Sequence, residues 1–144
     1  MRFMMLMIPK GYETASADAM PSPEAVAAMS KFNEELKNAG VLLALDGLHP
    51  SQKGARITFS GGKPTVQDGP FTEAKELIGG YWMIQVKSKE EAVAWALRCP
   101  SGEDDFVIEV RQVQEFEDFP PDVQAAAAGE PALREELQRS AAHR

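Results

Sequence analysis

Cysteine is almost absent. The 144 residues hold one, Cys99, which has no partner for an intramolecular disulfide, so a disulfide-stapled scaffold is excluded. Histidine is scarce too: His49 and His143 stand far apart, with no thiol or imidazole at metal-ligand spacing, and no zinc motif results. Cations are outnumbered, 15 Lys and Arg against 22 Asp and Glu, for a net charge of −7. No stretch interleaves Lys or Arg with aromatics, so no nucleic-acid partner is expected. The apolar run from Phe3 to Ile8 is about half the length of a signal-peptide core and runs into Pro9 and Lys10 instead of a small-residue cleavage site. A cytoplasmic protein with no membrane association is the expectation. Also missing are a glycine-rich phosphate loop opening a helix, a nucleophile elbow and paired histidines, which points to a protein without cofactor or metal.

What is present suits an ordinary globular chain: hydrophobic residues at 44% and charged residues at 26% are enough for one domain, which at this length buries roughly 70% of its unfolded surface. Phe3 to Ile8 are apolar without alternation, the pattern of a central strand covered on both faces. Ser22 and Pro23 supply a cap and a first-turn proline ahead of Val26, Met29, Phe32 and Leu36 at helical spacing, and Gly40 closes that helix with a left-handed cap. Val41 to Leu45 reads as a second strand. Arg56 to Ser60, Gly61-Gly62 and Lys63 to Gln67 read as a hairpin with a glycine turn. Tyr81 to Val86 is again apolar on both alternating sets. Ser88 opens a second helix as a capping box with Glu91, its buried stripe is Ala92, Val93, Ala96 and Leu97, and Cys99-Pro100 ends it. Phe106 to Val113 makes the last core strand.

The resulting fold class is α+β, with the strand and helix order of a ferredoxin-like βαβ-type sandwich carrying an inserted β-hairpin. Two helices cover only one face of such a sheet. The other face carries apolar side chains that a monomer would leave in water, so a homodimer is expected.

Between the hairpin and the Tyr81 strand lies DGPFTEAKELIGGY, Asp68 to Tyr81. Asp68-Gly69-Pro70 is turn chemistry followed by a helix start from Phe71 to Leu77, Phe71 serves as an anchor, and Gly79-Gly80 lets the backbone turn into the next strand. This run closely resembles the signature of the DGPF proteins, a branch of the YCII-related superfamily, and Gly47-Leu48-His49-Pro50 is similar to their G-L-x-P segment. The resemblance implies a dimeric α+β barrel in which two sheets face each other. It also implies, for some members, a regulatory partner among the extracytoplasmic-function sigma factors. Some YCII-related relatives carry a His–Asp pair with the histidine in the first helix; here that helix runs Pro23 to Met29 without one.

Five residues are candidates for a small-molecule site. Asp68 is a carboxylate at a tight turn, able to cap a helix or to act as a general base, and His49 is an imidazole, a side-chain type suited to carrying a proton, or else a loop-rim residue. The last strand alternates Val107, Glu109, Arg111 and Val113 against Phe106, Ile108 and Val110. Its polar set would line a cleft with Tyr81 and Gln85, where Arg111 could hold a small carboxylate or phosphate, or pair with Glu109 to stitch a dimer. Trp82 and Trp95 read as core or interface residues, and Cys99 has nothing to activate it. Residues 1–118 form the expected domain and 119–144 a helical extension. Pro120-Pro121 breaks the chain ahead of it, and from Glu115 onward seven acidic residues stand against three basic ones, as in a packing arm or an acidic tail.

Overall fold

The computed structural model describes residues 1–11, 16, 20–71, 77–102 and 105–143. Residues Met1–Gln112 form one compact unit and Val113–Arg144 a second. The first unit contains β1 (Arg2–Pro9), α1 (Pro23–Asn38), β2 (Leu42–Gly47), β3 (Ala55–Ser60), β4 (Lys63–Asp68), β5 (Gly80–Gln85), α2 (Lys89–Ala96) and β6 (Phe106–Gln112). The second contains α3 (Pro121–Ala126) and α4 (Glu130–Ala142). Among the described residues no helix is long and apolar enough to cross a membrane.

α1 and α2 begin where their sequence caps them. Ser22 Oγ accepts the Ala25 N–H at 3.1 Å and Ser88 Oγ the Glu91 N–H at 3.1 Å, each satisfying a backbone donor that the first turn leaves free. Glu91 reaches back, but its carboxylate takes the Lys87 N–H at 2.9 Å. α1 ends as expected. Gly40 adopts φ 75°, its N–H bonds the Lys37 carbonyl, and the Val41 N–H bonds the Leu36 carbonyl, the paired closure of a Schellman motif.

β2, β5, β1 and β6 lie side by side in that order, every neighbouring pair antiparallel. The sheet is open and does not close into a barrel within the chain. Antiparallel partners share a face, so the register sorts the side chains. Phe3, Met5, Trp82, Ile84 and Val86 point to one side and close a core with Phe32 and Leu36 of α1 and Ala92 of α2, all at 5% exposure or less. The Phe32 and Trp82 rings meet edge to face with centroids 5.7 Å apart, and the Trp82 indole N–H donates to Asn33 Oδ1 at 2.7 Å. Burial of each large side chain there contributes about 1.5–3 kcal/mol.

The expected stripe on α2 needs correction. Ala92 is fully buried, but Val93 is 39% and Leu97 81% exposed. The helix is only two turns long, Leu97 caps it beyond the last turn, and its packed side is carried by Ala92, Trp95 and Ala96 instead. A helix expected from Phe71 to Leu77 spans residues 72–76, which lie outside the described residues. β3 and β4 pair only with each other, Ser60 opposite Lys63, and both turn residues have positive φ, 58° at Gly61 and 78° at Gly62. That is the two-residue turn that matches strand twist, and glycine adopts it without steric cost.

In the second unit Pro120 and Pro121 open α3, the Gln124 side chain donates to the Phe119 carbonyl at 2.8 Å, and Pro131 stands in the first turn of α4. Leu133 and Leu137 are 50% and 59% exposed.

Candidate functional site

The signature residues form a joint before they form anything else. Gly69 packs so closely on the short turn Ser51–Lys53 that a Cβ there would collide with the Ser51 carbonyl, and only glycine fits. The Gly69 N–H bonds the Gly54 carbonyl at 2.9 Å, and the Phe71 N–H bonds Ser51 Oγ at 3.2 Å. Phe71 is buried, as an anchor should be, but its partners are not the helix-side core. Its ring carries the Arg56 guanidinium 4.2 Å from the centroid, in cation–π geometry.

This joint borders a half-open cavity of about 420 Å³, with His49, Ser51 and Arg56 at its polar edge and Leu48, Phe71 and Leu77 among its apolar walls. His49 is exposed at the cavity mouth. Asp68 ends β4 opposite Ala55, is exposed, and is not among the residues that line the cavity. Among the described residues its carboxylate has no hydrogen-bond or ion-pair partner. A larger hollow of about 530 Å³ lies between α2 and β6, and none of the five candidate residues borders it. Cys99 does, and burial pushes its thiol up to about 11, so the thiolate nucleophile is scarce at neutral pH.

The other three candidates occupy the face of the four-stranded sheet opposite the helices. Register places Glu109, Leu6, Tyr81 and Asp46 in one row across β6, β1, β5 and β2, and Arg111, Met4, Met83 and Ala44 in the next row. Tyr81, Glu109 and Arg111 therefore share a face, with apolar Leu6, Met4 and Met83 between them. The Tyr81 hydroxyl donates to Asp46 Oδ2 at 2.8 Å, and that bond, with the carboxylate's negative charge, raises the phenol's pKa above its ordinary 10.0. The phenol stays protonated through mildly alkaline pH.

Asp46, Ser51 and Arg56 are the residues that sequence reasoning passed over. Asp46 is found only through the pairing of β2 with β5, which includes a register shift between Leu42 and Ala44, so counting from the strand ends would misplace it. Arg56 carries a readable signal, a lone cation in a strand that otherwise alternates apolar and hydroxyl residues.

A family model described as the YCII-related domain matches residues 1–117. A protein of Rhizobium meliloti (strain 1021), described as uncharacterized, is 34% identical over 68 residues, which cover 47% of this chain and 55% of that protein. The chain thus spans about half the length of the curated relative it matches.

Proposed function

The chain belongs to the YCII-related domain family, and from that premise we propose that it is a homodimer of ferredoxin-like subunits that binds a small anionic molecule in a cleft between two facing sheets. The supporting strand order is β2-β5-β1-β6 with α1 and α2 packed on one side, which among the described residues leaves the opposite face for a second copy. One observation carries the reading: the register gathers Tyr81, Asp46, Glu109 and Arg111 on that face, among half-buried apolar side chains.

In this reading Arg111 holds a carboxylate or phosphate through charge-assisted hydrogen bonds, Asp46 and Glu109 accept from hydroxyl or amine groups, and the second copy excludes water. Met4, Leu6 and Met83 form the apolar floor. For a proton carrier the chain offers His49 and Asp68. His49 lines the cavity beside the Ser51 turn, and Asp68 ends β4 next to Gly69, which packs on that same turn. Partnership with an extracytoplasmic-function sigma factor is the alternative, favoured by the apolar side chains left exposed on the β3–β4 hairpin.

A thermal-shift screen of small carboxylates and phosphates tests the site. A hit should raise the melting temperature of the wild type and lose that effect in Arg111→Ala and Tyr81→Phe, while both variants keep the wild-type molar mass. A hit that stabilises both variants as much as the wild type places the ligand elsewhere. If Arg111→Ala dissociates the dimer instead, the Glu109–Arg111 pair is an interface stitch and not a ligand anchor.

A further inference from the structure

The cavity beside the signature joint has walls that belong to neither the helix-side core nor the open sheet face. Phe71 and Leu77 are 7% and 5% exposed, yet both lie outside the cluster that Phe3, Trp82 and Ile84 form with α1 and α2. Leu48 and Ile78 border the same cavity and remain 47% and 38% exposed, apolar side chains that an occupant would cover. Its polar groups are the His49 imidazole, the Ser51 hydroxyl and the Arg56 guanidinium, and no carboxylate stands among the described lining residues. Asp68, paired opposite Ala55, is exposed and outside the lining. The fixed charge at this apolar wall is therefore positive, in a chain whose net charge is −7.

Bonds within the chain hold this frame in place. The Leu48 N–H donates to the Gly79 carbonyl at 2.9 Å, which ties the segment carrying Leu48 and His49 to the one carrying Leu77 and Ile78. The Gly54 N–H closes the neighbouring turn on the Ser51 carbonyl at 2.9 Å, and Gly69 packs against that turn. Ser51 Oγ accepts the Phe71 N–H and keeps its own proton to donate. Arg56 is held over the buried Phe71 ring, 4.2 Å from its centroid, so the charge is positioned in advance. A guanidinium carries five N–H donors in a rigid fork, of which a carboxylate takes two.

We infer that this cavity is a ligand site of its own, taking a small amphipathic carboxylate. The head group sits on Arg56 with His49 and Ser51 as further donors, and a short apolar tail lies against Leu48, Leu77 and Ile78. One chain builds the site, so it stands independently of the homodimer reading. Its volume of about 420 Å³ falls within the roughly 300–1,000 Å³ of small-molecule pockets. The head group is assigned by charge: a carboxylate gains a two-point, charge-assisted contact that a hydroxyl cannot make, and an ammonium is repelled. The larger hollow between α2 and β6 supplies the contrast, because Asp105 borders it and no Lys or Arg does among the described lining residues.

Titration calorimetry of the full chain with acetate, butanoate, hexanoate and octanoate tests the site. Affinity should rise with tail length, by at most about fourfold per methylene, and level off once the cavity is full. Octanol and octylamine should bind at least about tenfold more weakly than octanoate, the weight of hydrogen bonds to a charged group. Arg56→Gln should weaken octanoate at least about tenfold, and Arg56→Lys, which keeps the charge without the fork, by less. Leu48→Glu alters an exposed wall residue, should keep the wild-type circular dichroism and should also lose octanoate, so the test survives if Arg56→Gln fails to fold. Octanol binding as tightly as octanoate overturns the charge anchor, and octanoate binding to Leu48→Glu as tightly as to the wild type overturns the cavity. Octanoate lost in Arg111→Ala but kept in Arg56→Gln places the carboxylate on the open sheet face and overturns this site while supporting that one. No binding by any member of the series overturns it outright.

Discussion

On the helix side of the sheet, Phe3, Met5, Trp82 and Ile84 are between 0% and 5% exposed; on the other side of the same strands, Met4, Leu6, Tyr81 and Met83 are only half-buried, and Val107, Glu109 and Arg111 are exposed. One residue step along β5 moves a side chain from the first environment to the second. The chain completes the first face itself, with α1 and α2, and places its hydrogen-bonding groups on the second. The packed core and the polar row are thus divided by strand alternation, and the two can be perturbed separately.

The largest effect should come from the closed face. Ile84→Ala leaves a cavity in a fully buried site and should cost about 2–5 kcal/mol in urea unfolding, the same at every protein concentration. In the proposed dimer its neighbour Met83 packs against the second copy, so Met83→Ala should instead cost most at high protein concentration, where the wild type is fully associated, and progressively less on dilution. Equal, concentration-independent losses at the two positions would erase the proposed difference between the faces.

The next largest effect tests the signature joint against the turn it locks onto. Gly69→Ala forces a Cβ onto the Ser51 carbonyl and should cost about 1–3 kcal/mol or more. At Gly54 an added Cβ meets only an ordinary contact at 3.6 Å and φ is −113°, so Gly54→Ala should stay within about 1 kcal/mol of wild type. Thermal melts of both variants check the pair.

The smallest effect belongs to the polar row. Tyr81 is an acid with a raised folded-state pKa, so the folded protein keeps the phenol proton at pH values where the unfolded chain has released it. The stability it contributes is fully present below pH 10 and is lost as pH rises through the folded value, leaving the neutral range flat. An ultraviolet titration should show one of the two tyrosines ionising late, and Asp46→Asn should return it to its ordinary range. A Tyr81 titration unchanged by Asp46→Asn would remove that bond as the cause.

Much of this architecture can be read from local pattern. The caps at Ser22 and Ser88, the closure at Gly40, the Gly61-Gly62 turn and the two-sided apolar strands are all encoded within a few residues of where they act. The polar row is not. Tyr81 and Asp46 meet only because β2 pairs with β5 across a register shift, and Glu109 joins them through β1, so the grouping depends on strand order. His49 and Asp68 are close in sequence type to a catalytic pair, yet the cavity takes one and not the other, a matter of how the Ser51 turn packs under Gly69. For the hairpin, the alternation of Ile57, Phe59 and Val66 is visible in the sequence. Which side faces the chain is set by the Arg56–Phe71 stack, a contact that no local pattern encodes.

The central claim, that the open face is an interface enclosing a site, is tested most directly by light-scattering molar mass across a dilution series of the wild type and Met83→Glu. The wild type should show twice the 15.7 kDa chain mass and the variant should fall to a single chain while keeping its helix and strand content. A wild type at the single-chain mass throughout, or a Met83→Glu dimer as tight as the wild type, would contradict it.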